Sequence, residues 1–196
     1  MLVRELMTTE PVTVTPGTPI KVALGLLADH GITSLPVLGR HGRLRGVVSE
    51  ADLIRDRVPL DPRAHELPVD DRWHDPARLV GDVMSVHAVT VRPDTEVAQA
   101  VHLLTSTTVK SVPVVDHDDR LVGVLSRSDV VRALARSDTE LARDVETMLA
   151  SVGLEDWVVQ VTDGMVTLSG PDDSRQAALA RVVASTVPGV VDVTRD

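Results

Sequence analysis

The chain has 196 residues, 43% of them hydrophobic, with a formal charge of −9 and a mean hydropathy of +0.08. It contains no Cys, Phe or Tyr and only two Trp, Trp73 and Trp157, so the core must be aliphatic, and disulfides and thiolate metal sites are excluded. An acidic chain almost without aromatic rings lacks the basic grooves and stacking platforms that nucleic acids require. Its apolar runs are too short to span a bilayer, no secretory signal opens the sequence, and the expected location is the cytoplasm.

In chain order, Val12-Thr13-Val14 is a β-branched triplet closed by Pro16-Gly17, which predicts a short strand or extended lead-in. Thr18 is placed as the cap of a helix whose first residue is Pro19. Ile20, Ala23, Leu24 and Leu27 then follow at helical spacing, and Gly31 supplies a left-handed stop. A strand from Ser34 to Leu38, a turn around His41-Gly42 and a strand from Leu44 to Val48 come next. A second helix begins after Ser49 and carries Leu53 and Ile54.

Asp56 to Leu79 has linker composition, with Pro59, Pro62, Pro68 and Pro76 among charges and Trp73 as the residue to dock it. His65, Glu66, Asp70, Asp71 and His74 lie here without a regular element to fix their geometry, so they read as solvated linker rather than as a metal site.

From Val80 the first pattern returns. Val3 to Arg55 aligns without a gap onto Val80 to Arg132 at a shift of 77, with about twenty of 53 pairs identical. Met7 meets Met84, Ser34-x-Pro36-Val37 meets Ser111-x-Pro113-Val114, and Gly46-Val47-x-Ser49-x-x-Asp52 meets Gly123-Val124-x-Ser126-x-x-Asp129. Thr95 takes the cap position, and an acidic turn spans Asp116 to Asp119. One copy exposes faces it cannot cover alone, so the two are expected to pack about a pseudo-two-fold axis with two equivalent clefts.

The last part is different and more acidic: residues 137–196 carry 4 basic and 11 acidic side chains, against 16 and 18 in residues 1–136. Asp138 to Leu149 predicts a helix with Leu141, Val145 and Leu149 on one face. Trp157 to Val161 and Met165 to Leu168 predict a hairpin through the Asp163-Gly164 turn. Asp172 to Val187 predicts a further amphipathic helix, and Val190 to Val193 a closing strand. The fold class is therefore α/β (α+β), with two strand-helix-strand-strand-helix repeats and a small α+β module.

In each repeat a strand delivers Ser, then Asp three residues later, at the mouth of a helix. Unpaired N–H groups and the helix dipole suit a phosphate there, and a carboxylate one turn on can accept both hydroxyls of a ribose. The same spacing is that of a capping box, in which Ser and Asp satisfy the helix's own N–H groups. Gly46 and Gly123 let something pass close to the strand. No catalytic arrangement accompanies these groups. The seven His are scattered, no Gly-rich phosphate loop is present, and Asp70-Asp71 and Asp172-Asp173 would diverge, so an enzyme is not expected.

The matched frame (V-T-V-x-P-x-T, S-x-P-V and G-V-x-S-x-x-D in both copies) resembles cystathionine-β-synthase (CBS) domains, and two such repeats resemble a Bateman module. The resemblance implies repeats at residues 1–57 and 80–136, a linker at 58–79, and clefts that bind an adenosine-containing nucleotide of the AMP, ADP or ATP type as a regulatory ligand. No cofactor is required. Carried over, one cleft joins Ser126, Arg127 and Asp129 to Ile32, Thr33, Ser34 and Leu35, with Met7, Thr8 and Val12 at its base. The other joins Ser49 and Asp52 to Val109, Lys110, Ser111 and Val112, with Met84, Ser85 and Val89. The aspartates would hold ribose, the Ser hydroxyls phosphate, and Arg127 or Lys110 the phosphate charge. Glu50 stands where the other copy has Arg127, which favours the Ser126/Asp129 cleft.

V-Q-V-T-D-G-M-V-T-L-S-G from Val159 to Gly170, with V-P-G-V from Val187, resembles the BON domain over residues 137–196. That resemblance implies contact with protein or with phospholipid. The acidic charge disfavours membrane contact, since anionic headgroups attract Lys and Arg clusters. The expected function is a ligand-sensing regulatory protein, a homodimer by resemblance, that relays nucleotide binding to an unknown protein partner through the tail. The alternative is a structural or membrane-associated dimer that binds no nucleotide.

Overall fold

The computed structural model describes residues 1–55, 57 and 77–196. Trp73 as docking anchor, and His65, Glu66, Asp70, Asp71 and His74, lie outside the described residues. In the first repeat, α1 (Ile20–His30) precedes β1 (Ser34–Leu38), β2 (Leu44–Ser49) and α2 (Glu50–Ile54). The second repeat gives α3 (Val97–Ser106), β3 (Ser111–Val115), β4 (Leu121–Ser126) and α4 (Arg127–Leu134). The tail comprises α5 (Asp138–Ser151), β5 (Val158–Thr162), β6 (Met165–Ser169), α6 (Ser174–Ser185) and β7 (Asp192–Arg195).

Local chemistry accounts for most boundaries. Gly31 ends α1 at φ 61°, a left-handed conformation that costs glycine nothing. The helix start differs from the predicted one: Pro19 is the N-cap and Ile20 the first helical residue. A residue before proline is pushed out of the helical region, and the Thr18 hydroxyl instead accepts the Thr15 N–H at 3.0 Å. Glu96 likewise takes the cap position in place of Thr95. The predicted Val12–Val14 strand reduces to a single parallel bridge from Val14 to Val37.

β1 pairs antiparallel with β2, setting Ser34 opposite Ser49 and Leu35 opposite Val48, and β3 pairs with β4. The duplication carries the expected pseudo-two-fold relation into the bonding. Ser34 meets its counterpart Ser111 through a 2.6 Å hydrogen bond, and Arg43 bridges its counterpart Arg120. Thr8 bridges Val124 while Ser85 bridges Val47, the same contact with the repeats exchanged. Val97 N–H donates to Met1 O, and Ile20 N–H to Arg78 O. Val3 N–H donates to Thr95 O, and Val80 N–H to Thr18 O. Each repeat's opening turn thus supplies acceptors and donors at the start of the other's first helix, where backbone groups have no partner inside the helix.

The chain forms two compact units that each draw on both repeats: Met1–Met7, Asp94–Thr107 and Leu125–Asp196 make one, Thr8–Pro93 and Thr108–Val124 the other. The second unit has an aliphatic core of Val14, Ile20, Ala23, Leu27, Leu35, Val37, Val48, Leu53 and Val80. Burying each larger side chain contributes about 1.5–3 kcal/mol before the entropy of ordering is counted.

The first unit is centred on the tail. Leu141, Val145 and Leu149 of α5, one helical face, pack with Ala180 and Ala184 of α6, Val166 and Leu168 of β6, and Trp157. β5 and β6 form the predicted hairpin, and β7 joins β6 in parallel after the α6 crossover. Asp163 and Gly164 at the turn have φ of 52° and 75°, as a two-residue hairpin turn requires. The tail is fastened to the end of α4. Arg136 donates to Pro188 O at 2.8 Å and pairs with Asp144. A Cβ on Gly189 would fall 2.5 Å from Ala133 O, so the 188–189 turn lies directly against the helix end.

Candidate functional site

Both repeats build the same N-terminal cap. Ser49 N–H and Oγ–H donate to Asp52 Oδ2 at 2.9 and 2.6 Å, while Ser49 Oγ accepts the Asp52 N–H at 3.3 Å. Ser126 and Asp129 repeat this at 2.8, 2.6 and 3.3 Å. The Ser hydroxyl protons are thus directed to the aspartates, and the capping reading is realised in both copies.

The copies differ at the other carboxylate oxygen. Asp129, 8% exposed, accepts from Arg132 Nη1 at 3.1 Å through Oδ1. Asp52 Oδ1 has no partner among the described residues, although Arg55 occupies the position equivalent to Arg132. The cause is local. α4 runs on to Leu134, so Arg132 lies one helical turn from Asp129, whereas α2 stops at Ile54 and Arg55 has left the helix with ψ 132°.

Charge is arranged differently from the expectation as well. Arg127 donates through Nε to Leu104 O at 2.8 Å and through Nη2 to Thr107 O at 3.2 Å. Its cation therefore sits on the carbonyls at the end of α3, where a positive group is favoured. That removes the argument for preferring the Ser126/Asp129 cleft. Lys110 forms an ion pair with Glu50, and the Glu50 N–H donates to Thr33 O at 2.9 Å. With the Ser34–Ser111 bond, these contacts bring the 33–34 and 110–111 segments to the mouth of α2.

Ser49, Asp52, Met84, Ser85, Val89, Val109, Lys110, Ser111 and Val112 all belong to the second compact unit. Ser85 and Val47 exchange both backbone hydrogen bonds, at 2.9 and 3.0 Å. Gly46 is what allows this: a Cβ there would lie 2.2 Å from Ser85 O. The close neighbour anticipated for this glycine is the chain itself. Met84 packs on the core, and Val89 is exposed. Leu35 and Val112 are fully buried core side chains, so only their backbone groups can face a ligand.

The other set is divided. Met7, Ser126, Arg127 and Asp129 lie in the first unit, and Thr8, Val12, Ile32, Thr33, Ser34 and Leu35 in the second. Val12 and Ile32 pack on the core, while Met7 N–H donates to Val3 O. Arg132 and the Leu104 and Thr107 carbonyls were missing from the sequence reading. The i, i+3 spacing of Asp129 and Arg132 is a visible signal, but Asp52 and Arg55 carry it equally, and only helix length separates them. Among the described residues no three His, Asp or Glu side chains gather as a metal site. No described helix is long and apolar enough to cross a membrane.

The frame has relatives. The chain is 35% identical over 136 residues to the CBS domain-containing protein CBSX2, chloroplastic, of Arabidopsis thaliana, a match covering 61% of this chain and 57% of that protein. The chain thus spans little more than half the length of that relative. The crystal structure of CBSX2 in complex with AMP superposes with a TM-score of 0.53 at 32% identity, covering 67% of this chain and 94% of that one. The cytosolic domain of the Mg2+ channel MgtE in complex with ATP gives a TM-score of 0.50 at 30% identity, covering 66% and 47%. The CBS domain model matches residues 3–58 and 80–136. With two matched repeats, reciprocal bonding between them and relatives of the same build, the chain belongs to the CBS domain family as a tandem pair.

Proposed function

We propose that the chain is a regulatory sensor of an adenosine-containing nucleotide, bound at the mouth of α2. The observation that carries this reading is the Oδ1 of Asp52, without a partner among the described residues, beside a segment that also presents Lys110. Asp52 would accept ribose hydroxyls, the backbone of Val109 to Val112 and of Thr33 would read the base, and Lys110 would meet phosphate after leaving Glu50. AMP in CBSX2 and ATP in MgtE support the ligand class. The equivalent groups of Asp129 are fully engaged, which makes that carboxylate the weaker candidate.

The tail end of the proposed relay is α4. Its first turn holds the Ser126–Asp129 cap and its last residues hold the Pro188-Gly189 turn of the BON-like tail. A ligand can shift this element only through a difference in affinity between two arrangements of it. The homodimer rests on the family resemblance and on the exposed apolar residues Val131 and Leu134 of α4, 63% and 56% accessible. Cytoplasmic location and a protein partner complete the proposal. Calorimetric titration with AMP, ADP, ATP and S-adenosylmethionine tests it: binding that is lost in Asp52→Asn supports it, and no binding at roughly millimolar ligand overturns it.

A further inference from the structure

A groove of about 510 Å³ lies in the tail, between α6 and β7. Its apolar wall is Leu168, Ala177 and Val193; its polar groups are Arg181, Arg195, Asp192 and Thr194. Trp157 lines it and is 6% exposed. The indole N–H is buried without an acceptor among the described residues. A buried unsatisfied donor costs about 1–3 kcal/mol, so this one is conspicuous. Its ring is boxed in: a Cβ on Gly170 would come within 2.4 Å of Cδ2, and the Arg195 guanidinium stands 5.8 Å from the ring centroid.

Charge concentrates in the same place. Residues 137–196 hold four basic side chains, and two of them line this groove in an otherwise acidic stretch. Arg181 has no acidic partner among the described residues. Arg195 touches Pro171 O at 3.2 Å and the fully exposed Asp172 at 3.3 Å, contacts that solvent weakens. The groove's surplus is therefore of donors, and two guanidinium forks beside an apolar wall complement a carboxylate attached to an aliphatic body.

β7 closes the sheet order β5-β6-β7, so its outer edge is unpaired among the described residues. The Asp196 N–H donates inward to Leu168 O. By strand alternation the Val193 and Arg195 N–H groups then point outward. Val193 N–H already donates to the Asp192 carboxylate at 2.8 Å, an oxygen acceptor at the place a neighbouring strand would offer its carbonyl.

We infer that this groove binds an extended peptide segment of a protein partner, one that carries a carboxylate next to aliphatic side chains. The segment lies along β7, its carboxylate between Arg181 and Arg195, its aliphatic neighbour on Ala177 and Ala178. This names the chemistry of the partner left open in the relay reading, and it holds whether or not the repeats bind nucleotide.

The test is a fluorescence titration of the full chain carrying Trp73→Phe, so that emission reports Trp157, with nucleotide left out. The probes are the acetylated, amidated peptide Val-Leu-Asp-Leu, its Val-Leu-Asn-Leu counterpart, and vesicles of phosphatidylglycerol with phosphatidylcholine. The acidic peptide is expected to give a saturable change, with the Asn peptide and the Arg181→Gln variant about tenfold weaker. Arg181 is exposed and has no partner among the described residues, so its substitution leaves the melting temperature unchanged, and Asp192→Asn strengthens binding. No saturable change at roughly millimolar peptide, equal binding of the two peptides, or a response to vesicles alone would each overturn the inference. Calorimetry with nucleotides, run separately, decides the fate of the sensor reading.

Discussion

Ser34 and Ser111 stand 77 residues apart at the same position of the two repeats, and their hydroxyls share a hydrogen bond of 2.6 Å. Each is its partner's image, so the pseudo-two-fold axis of the duplication passes between them. Either Ser→Ala substitution leaves the other hydroxyl half-buried without its partner and is expected to cost about 1 kcal/mol. The double substitution removes both groups and should cost less than the sum of the two. Urea denaturation of the four proteins in the cycle measures the coupling.

Asp52 and Asp129 share a cap but not a second partner. Asn keeps an acceptor for the cap, so Asp52→Asn is expected to lose about 1 kcal/mol or less of stability, while its nucleotide affinity falls at least about tenfold. Asp129→Asn breaks the contact to Arg132 and should leave most nucleotide binding in place. Thermal melting and calorimetry on both variants separate the two effects; equal affinity in Asp52→Asn and parent would sink the assignment of ribose to that carboxylate.

Glu50 competes with phosphate for Lys110. Glu50→Gln releases the ammonium and removes a like charge, so affinity should rise more for ATP than for adenosine. The expected gain for ATP is about tenfold at low salt and shrinks as ionic strength screens the pair. Titrations of both ligands at two salt concentrations check this, and a gain of equal size for adenosine would contradict it.

The Asp138 carboxylate holds the β5–β6 turn by accepting the Asp163 and Gly164 N–H groups, both at 2.9 Å. Asp138→Ala strands two donors at a turn whose residues have positive φ, and is expected to cost about 1–3 kcal/mol. Hydrogen exchange should show the loss of protection concentrated in β5 and β6.

Two exposed carboxylates tie stability to acid pH. Asp116 is held below its ordinary 3.8 by the Arg120 N–H first, then by the Asp118 N–H and nearby arginines. Glu140 is held below 4.5 by the Ser137 hydroxyl first, then by the Ser137 N–H. A lowered folded pKa means the unfolded chain binds the proton more readily. Their contribution is therefore full above the ordinary values and disappears as pH falls through the lower folded ones. Urea midpoints followed down from about pH 5 should fall less steeply in Asp116→Asn and Glu140→Gln than in the parent.

Much of this architecture was legible in the sequence because duplication leaves a signal that no single motif can. The order of elements, the Gly31 stop and the Asp163-Gly164 turn each follow from side-chain chemistry within a few residues. What escaped depends on distance or on length. Arg127 aligned with a ligand-facing position, but its reach to the end of α3 is set by tertiary packing. Arg55 and Arg132 are identical residues at identical positions, and only the longer α4 gives Arg132 its carboxylate. Thr18 had the composition of a cap, yet Pro19 moved the helix start by one residue. The crosswise pairing of the opening turns is a long-range pattern without local cause.

That crosswise pairing has a consequence for how the protein is made and cut. Ile20, at the head of the first helix, waits for the carbonyl of Arg78, so on the ribosome the first repeat cannot complete its own backbone bonding until the second has begun to emerge. A protease nick between the repeats would sever the peptide but none of these exchanged bonds, so the hydrogen bonds within each unit would still join one fragment to the other.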